Sequence, residues 1–174
     1  PGIVLAQNAS TGPNKVYIEQ IGNTNTVTIQ QVGGTNAVGG TASATPSSSN
    51  YGTISGSSNT LTITQTGDSN LNQYNVKGNN NAYTSTVTGN SNSVKLAIGD
   101  TNNANNLRNS VTETITGNSN TVFQTVIGND ITSVLSITGN SNQVTKELKS
   151  TNGTSDITIT GGNNLLDIQQ IDVA

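Results

Sequence analysis

The sequence predicts an all-β solenoid of about eleven residues per strand-turn, with two strands in each 22-residue coil. Three observations point there. Glycines recur through the chain at Gly56, Gly67, Gly78, Gly89, Gly117, Gly128 and Gly139, most of them eleven positions apart. An Asn stands three positions after most of these glycines, and an apolar residue usually stands two further on. The composition, 30% hydrophobic, 3% aromatic and 9% charged over 174 residues, cannot fill a thick core. A net charge of −3 is also too small for the high-charge signature of a disordered chain. A thin repetitive β-structure reconciles these features. The runner-up is an intertwined trimeric β-helix, because eleven-residue strands can also wrap three chains around one axis.

Residues 1–14, with Gly2, Gly12 and Pro13 and only the short apolar run Ile3–Ala6, are expected to be an N-terminal arm or cap. Residues 15–174 read as a single repetitive solenoid domain. Alternation starts at Lys15: Val16, Ile18 and Gln20 share one side, and Tyr17, Glu19 and Ile21 the other. The next strand sends Val27, Ile29 and Gln31 to one face, and Thr26, Thr28 and Gln30 to the opposite face. Gly pairs, small residues and Pro46 mark a loop insertion near 34–53. A second insertion is expected near 100–110, and between Gly139 and Gly161 a unit passes with Ser150 where glycine would fall.

The expected structural repeat residues are the pairs Gly22/Asn25, Gly33/Asn36, Gly56/Asn59, Gly67/Asn70, Gly78/Asn81, Gly89/Asn92, Gly117/Asn120, Gly139/Asn142 and Gly161/Asn164. Asn102 fills the same place after Gly99, and Ile131 breaks the rule after Gly128. Glycine accepts positive φ and Asn tolerates it next best, so each Gly-Asn-Ser-Asn segment reverses the chain at low steric cost. The β-prone residues between turns suffice for one strand. Stacked coils then lie about 4.8 Å apart, and equivalent asparagines form side-chain amide ladders. Val, Leu and Ile, with occasional Gln31, Gln65, Gln124 and Gln170, would line the interior; Asn72 and Ser133 interrupt the apolar column.

Gln20-x-Gly22-x-x-Asn25-x-Val27-x-x-x-Gln31 resembles the curlin repeat of the major curli subunit, and Gln31-x-Gly33-x-x-Asn36-x-Val38 and Gln65-x-Gly67-x-x-Asn70 match in part. The resemblance is strong over 16–38. From 54 to 171 it is degenerate, with Val87, Ile115 or Ile137 where the repeat carries Gln. It implies a solenoid of stacked hairpin-like coils and amyloid-type polymerisation outside a bacterium. The Asn/Ser/Thr-rich composition is also similar to curlin-repeat virion proteins of marine tailed bacteriophages.

With no Cys and no His, disulfides, haem ligation and His-based triads have no residues to build them, and zinc sites of the usual kind lack their ligands. Six scattered basic residues give no footprint for nucleic acid, and no apolar run spans a membrane. No catalytic, cofactor-binding or metal-ligating residues are expected. Glu113 and Lys146 fall on the inward side, where an unpaired charge is costly, and a register slip or bulge is the expected explanation. Asp68, Asp100 and Asp130 beside turn glycines are expected to make local backbone bonds rather than bind calcium. Asn8-Ala-Ser10 and Asn152-Gly-Thr154 fit the glycosylation pattern but are expected by chance in so Asn-rich a chain. Threonines at 26/28, 60/62/64, 84/86/88, 112/114/116 and 158/160 are expected to gather mostly on one outer sheet face.

The functional expectation is a non-enzymatic structural subunit of a bacteriophage virion, a fibre, appendage or decoration protein. It would self-associate as a homo-oligomer or with other virion proteins, and present Asn, Thr and Tyr to a host cell-surface glycan or protein. Strand edges near Tyr17 and Ile168–Ile171 are the expected joints. The first ten residues lack a signal-peptide pattern. Pro1 fits loss of an initiator Met better than signal cleavage, which places assembly in a host cytoplasm. The alternatives are a secreted curli-like fibre subunit and an ice-binding threonine array.

Overall fold

A computed structural model describes residues 2–8, 12–18, 24, 26–39, 52–54, 56–78, 80–99, 109–127, 130–149 and 152–171, with side-chain surroundings from residue 12 onward. There is no helix among the described residues. Fourteen strands follow in order: β1 Gly2–Asn8, β2 Lys15–Val16, β3 Thr26–Val32, β4 Ala37–Val38, β5 Thr60–Thr66, β6 Leu71–Gln73, β7 Ala82–Thr88, β8 Ser93–Ala97, β9 Ser110–Thr116, β10 Thr121–Thr125, β11 Thr132–Thr138, β12 Gln143–Glu147, β13 Thr154–Thr160 and β14 Leu165–Gln169. The odd strands form one seven-stranded parallel sheet and the even strands a second. Among the described residues each coil gives one strand to each sheet, and successive coils of the chain pair with one another. The result is an all-β, solenoid-like stack.

The alternation of apolar and hydroxyl residues fixes which side chains turn inward. In β9 the residues Val111, Glu113 and Ile115 are buried, while Ser110, Thr112, Thr114 and Thr116 are exposed. Parallel register then stacks inward residues into columns. One runs Ile29, Ile63, Ser85, Glu113, Leu135, Ile157, and another runs Gln31, Gln65, Val87, Ile115, Ile137, Ile159. The second sheet contributes Val94, Val122, Val144 and Leu166 in one column. Burying each such apolar side chain contributes about 1.5–3 kcal/mol. Because one layer of side chains from each sheet fills the space between them, few hydrophobic residues suffice.

Two boundaries differ from the sequence expectation. Residues 2–8, expected within an arm or cap, form β1, an in-register parallel partner of β3. Their backbone can join the ladder because the segment carries no proline until Pro13. The first insertion does not begin at residue 34: Gly33–Asn36 is a regular turn and leads into β4. The segments 40–51 and 100–108, where most of both insertions fall, lie outside the described residues, as do Gly22, Asn25, Asp100 and Asn102.

Glu113 and Lys146 sit in regular register, opposite Leu135 and Gln124 respectively, so no slip or bulge turns them away from the interior. Both are buried. The charge is accommodated by partners, described below, rather than by a change of backbone path.

Candidate functional site

The turns that lead from the first sheet to the second make one edge of the stack. Gly33, Gly67, Gly89, Gly117, Gly139 and Gly161 all have positive φ there. Crowding adds a second reason for glycine. A Cβ on Gly117 would lie 1.9 Å from the Gly139 carbonyl oxygen of the next coil, and one on Gly139 would lie 1.8 Å from that of Gly161. The residue before each of Asn36, Asn70, Asn92, Asn120, Asn142 and Asn164 is also left-handed: Thr35, Ser69, Ser91, Ser119, Ser141 and Asn163 have φ between 57° and 60°. For a residue with a Cβ this costs about 1–2 kcal/mol. The turn geometry is held by the neighbouring coil, since Ser91 N–H donates to the Asp68 carbonyl at 2.9 Å and Ser141 N–H to the Asn118 carbonyl at 2.9 Å.

Along this edge Asn14, Asn36, Asn70, Asn92, Asn120, Asn142 and Asn164 form one continuous ladder. From Asn36 onward the backbone N–H of each donates to Oδ1 of the Asn in the preceding coil, at 2.9–3.0 Å. From Asn92 onward Nδ2 donates to the same oxygen. The other Nδ2 hydrogen reaches forward to a turn glycine, as from Asn120 to the Gly139 carbonyl at 2.8 Å and from Asn142 to that of Gly161 at 2.9 Å. An outer ladder runs beside it in the opposite sense: Gly34, Asp68, Asn90 and Asn118 N–H groups donate to Oδ1 of Asp68, Asn90, Asn118 and Asn140 in the next coil. Asp68 thus bonds a neighbouring coil through its carboxylate.

The other edge is less regular. Among the described residues Asn59, Asn81 and Asn109 form a ladder, with Asn81 N–H donating to Asn59 Oδ1 at 3.0 Å and Asn109 N–H to Asn81 Oδ1 at 3.2 Å. Gly56 and Gly78 precede the first two, and Asn59 Nδ2 donates to the Gly78 carbonyl. Asn109, not Asn102, takes the rung after Asn81. Ile131 follows and ends the ladder, leaving Asn109 Oδ1 buried without a partner.

Two surfaces are left open by this architecture. On the outer face of the first sheet, register aligns Thr28, Thr62, Thr84 and Thr112 in one column, and Thr66, Thr88, Thr116, Thr138 and Thr160 in another. Neighbours lie about 4.8 Å apart along the stack, and successive outward positions on a strand, such as Thr62, Thr64 and Thr66, lie about 7 Å apart. The outer face of the second sheet is mixed, with Lys95 4.7 Å from the Phe123 ring. Among the described residues the last coil, β13 with β14, pairs on one side only. There Leu166 and Ile168 are half-buried, and Leu165 and Ile171 are 74% and 54% exposed.

Inside the stack, the polar exceptions meet. Tyr83 donates its hydroxyl hydrogen to Glu113 Oε2 at 2.6 Å, and Gln124 Nε2 donates to Glu113 Oε1. Ser133 Oγ donates to Gln124 Oε1 at 3.2 Å, and Lys146 Nζ donates to Ser133 Oγ. Asn72 Nδ2 donates to Ser85 Oγ at 2.8 Å close by. Burial pushes the Glu113 carboxyl up to about 7, opposed by the Tyr83 and Gln124 hydrogen bonds and the Lys146 charge. Burial brings Lys146 down to about 8, opposed by Glu113 and Asp156. Burial also raises Tyr83 well above its usual range. Among the described residues no group of three or more His, Cys, Asp or Glu comes together as a metal site would require.

Sequence reasoning missed Asn14 and Asn109 because neither stands three residues after a glycine, and it read the outer ladder as turn chemistry. The signal for that ladder was the Asn or Asp directly after Gly67, Gly89, Gly117 and Gly139. No family model, curated protein or solved structure matches the chain.

Proposed function

We propose that the chain is a non-enzymatic structural subunit of a bacteriophage particle, a fibre, appendage or decoration protein that lengthens by adding the coils of further copies. The observation that carries this reading is the asparagine ladder from Asn14 to Asn164, whose N–H to Oδ1 bonds repeat from coil to coil in one direction. Among the described residues no strand pairs with the outer edges of β13 and β14, and the half-buried Leu166 and Ile168 line the interior there, so a coil added at that edge would continue both the sheets and the interior. The asparagine ladder is directional, so its two ends differ, and head-to-tail continuation is the arrangement that repeats its bonds. The resemblance of residues 16–38 to curlin repeats supports the same mode of growth. Exposed Thr, Asn and Tyr17 would face a host-surface glycan or protein.

Sedimentation across a concentration series, with negative-stain imaging, tests the assembly. Rods longer than one copy are expected, and Leu166→Lys should shorten them; a monomer at every concentration would count against it. Antibody labelling decides the setting. Label on phage particles supports the virion, and label on fibres at a bacterial surface supports the secreted curli-like alternative.

A second reading is favoured by the threonine columns. A flat array repeating at about 4.8 Å and about 7 Å offers regularly spaced hydroxyl and methyl groups to ordered water. Thermal hysteresis that disappears when Thr86 and Thr114 are replaced by Lys would establish ice binding, and its absence from the unaltered protein would remove it.

A further inference from the structure

The buried cluster holds a primary amine, a carboxamide, a hydroxyl and a carboxyl in one hydrogen-bonded line, which is more than an ion pair requires. Lys146 Nζ bonds Ser133 Oγ, Ser133 Oγ–H points at the Gln124 carbonyl oxygen, and Gln124 Nε2–H points at Glu113. Gln124 and Lys146 are also direct in-register neighbours on β10 and β12, so their side chains leave adjacent strands on the same inward face. We propose that Lys146 and Gln124 join in an intramolecular isopeptide bond, formed by the protein itself with release of ammonia.

Each group stands where such a reaction needs it. The neutral Lys146 amine attacks Gln124 Cδ, forming the Nζ–Cδ bond and placing negative charge on Oε1. Ser133 Oγ–H donates to that oxygen. Glu113, protonated at the start, gives its proton to Gln124 Nε2, which it already contacts, and takes the proton released from Nζ in exchange, so the carboxyl ends as it began. The Cδ–Nε2 bond then breaks and ammonia leaves. One amine and one amide become one secondary amide and ammonia, with no oxidant or other reactant. Burial supplies two further conditions: it excludes the water that would compete for Cδ, and it favours the uncharged amine together with the protonated acid. Fixed neighbours on adjacent strands make the attack unimolecular. The product staples two successive coils through the core.

Intact mass spectrometry of the purified full chain tests this directly. The expected mass is that of the sequence less one ammonia. Trypsin acting on the denatured protein should fail to cut after Lys146, and fragmentation should join Lys146 to Gln124. Glu113→Gln, with circular dichroism verifying the β-fold, should retain the full mass and regain the cut. Lys146→Met should also retain its full mass. A native chain at or above the sequence mass after prolonged incubation at pH 8 would overturn the proposal. Equal ammonia loss in folded Glu113→Gln would overturn the role of Glu113.

Discussion

The two edges of the stack are built from the same Gly-x-x-Asn unit, and they have different tolerances. On the edge from the first sheet to the second, seven asparagines form an unbroken ladder from Asn14 to Asn164, flanked by the outer Asp/Asn ladder. On the opposite edge the ladder of described residues is Asn59, Asn81, Asn109, and it ends at Ile131. Both long insertions fall on that second edge. Ladder partners that are 22 apart elsewhere are 34 apart between Asn36 and Asn70, and 28 apart between Asn92 and Asn120. One edge sets the register by hydrogen bonds repeated at every coil. With the register held there, the other edge can take added chain at the small entropic cost of a longer loop.

The largest expected effect comes from breaking the regular edge. Gly117→Ala places a Cβ 1.9 Å from the Gly139 carbonyl at a φ of +128°, and both carbonyl and turn are fixed by neighbouring coils. A loss of about 4 kcal/mol or more is expected from strain and displacement of the stacked turns, read by urea unfolding. A loss under 1 kcal/mol would mean that the turns slide independently.

An exchange between the edges is the next test. Asn142→Ile removes the acceptor of Asn164 N–H and the donor to the Gly161 carbonyl, and should cost about 3 kcal/mol. Ile131→Asn gives Asn109 Oδ1 a donor in exchange for apolar burial, and should stay within about 1 kcal/mol of the parent. Equal costs would erase the distinction.

Between the edges, the buried carboxyl gives a pH effect. In Lys146→Met only Glu113 of the polar core titrates near neutrality, and loss of the ammonium pushes its folded pKa further above about 7. Its value in the unfolded chain is near 4.5, so the folded state binds the proton more tightly. The extra stability is complete below pH 4.5 and is lost as pH rises through 7 and beyond. Melting temperature against pH reads this, and a curve that rises over the same interval would refute it.

The smallest effect should follow deletion of residues 101–106, which restores the 22-residue spacing. Loop shortening of this size changes stability by about 1 kcal/mol or less. The same number of residues inserted between Gly117 and Asn120 should prevent a cooperative thermal transition, because the regular edge has no slack.

Much of this plan could be read along the chain, because stacking imposes a local period on residue type. The glycine spacing, the inward columns, the inward placement of Glu113 and Lys146, and the gathering of threonines on one sheet all follow from counting positions. What could not be read was which coils touch. Asn14 and Asn109 join ladders through contact with the next coil, whatever their distance from a glycine. Residues 2–8 carry no repeat signature, and they become a strand because β3 offers an edge.

The sequence by itself determined a repeating strand and turn, since alternation and glycine placement are properties of neighbours along one chain. It also marked Asn72, Ser133, Glu113 and Lys146 as exceptions, one at a time. Only the tertiary structure decided that Ser133, Glu113 and Lys146 meet, with Gln124 and Tyr83, in a single hydrogen-bonded cluster, and that Asn72 pairs with Ser85 beside it. Meeting depends on register between strands 22 or 28 residues apart and on two sheets that each send one layer of side chains into the space between them. Those distances are set by the stack as a whole.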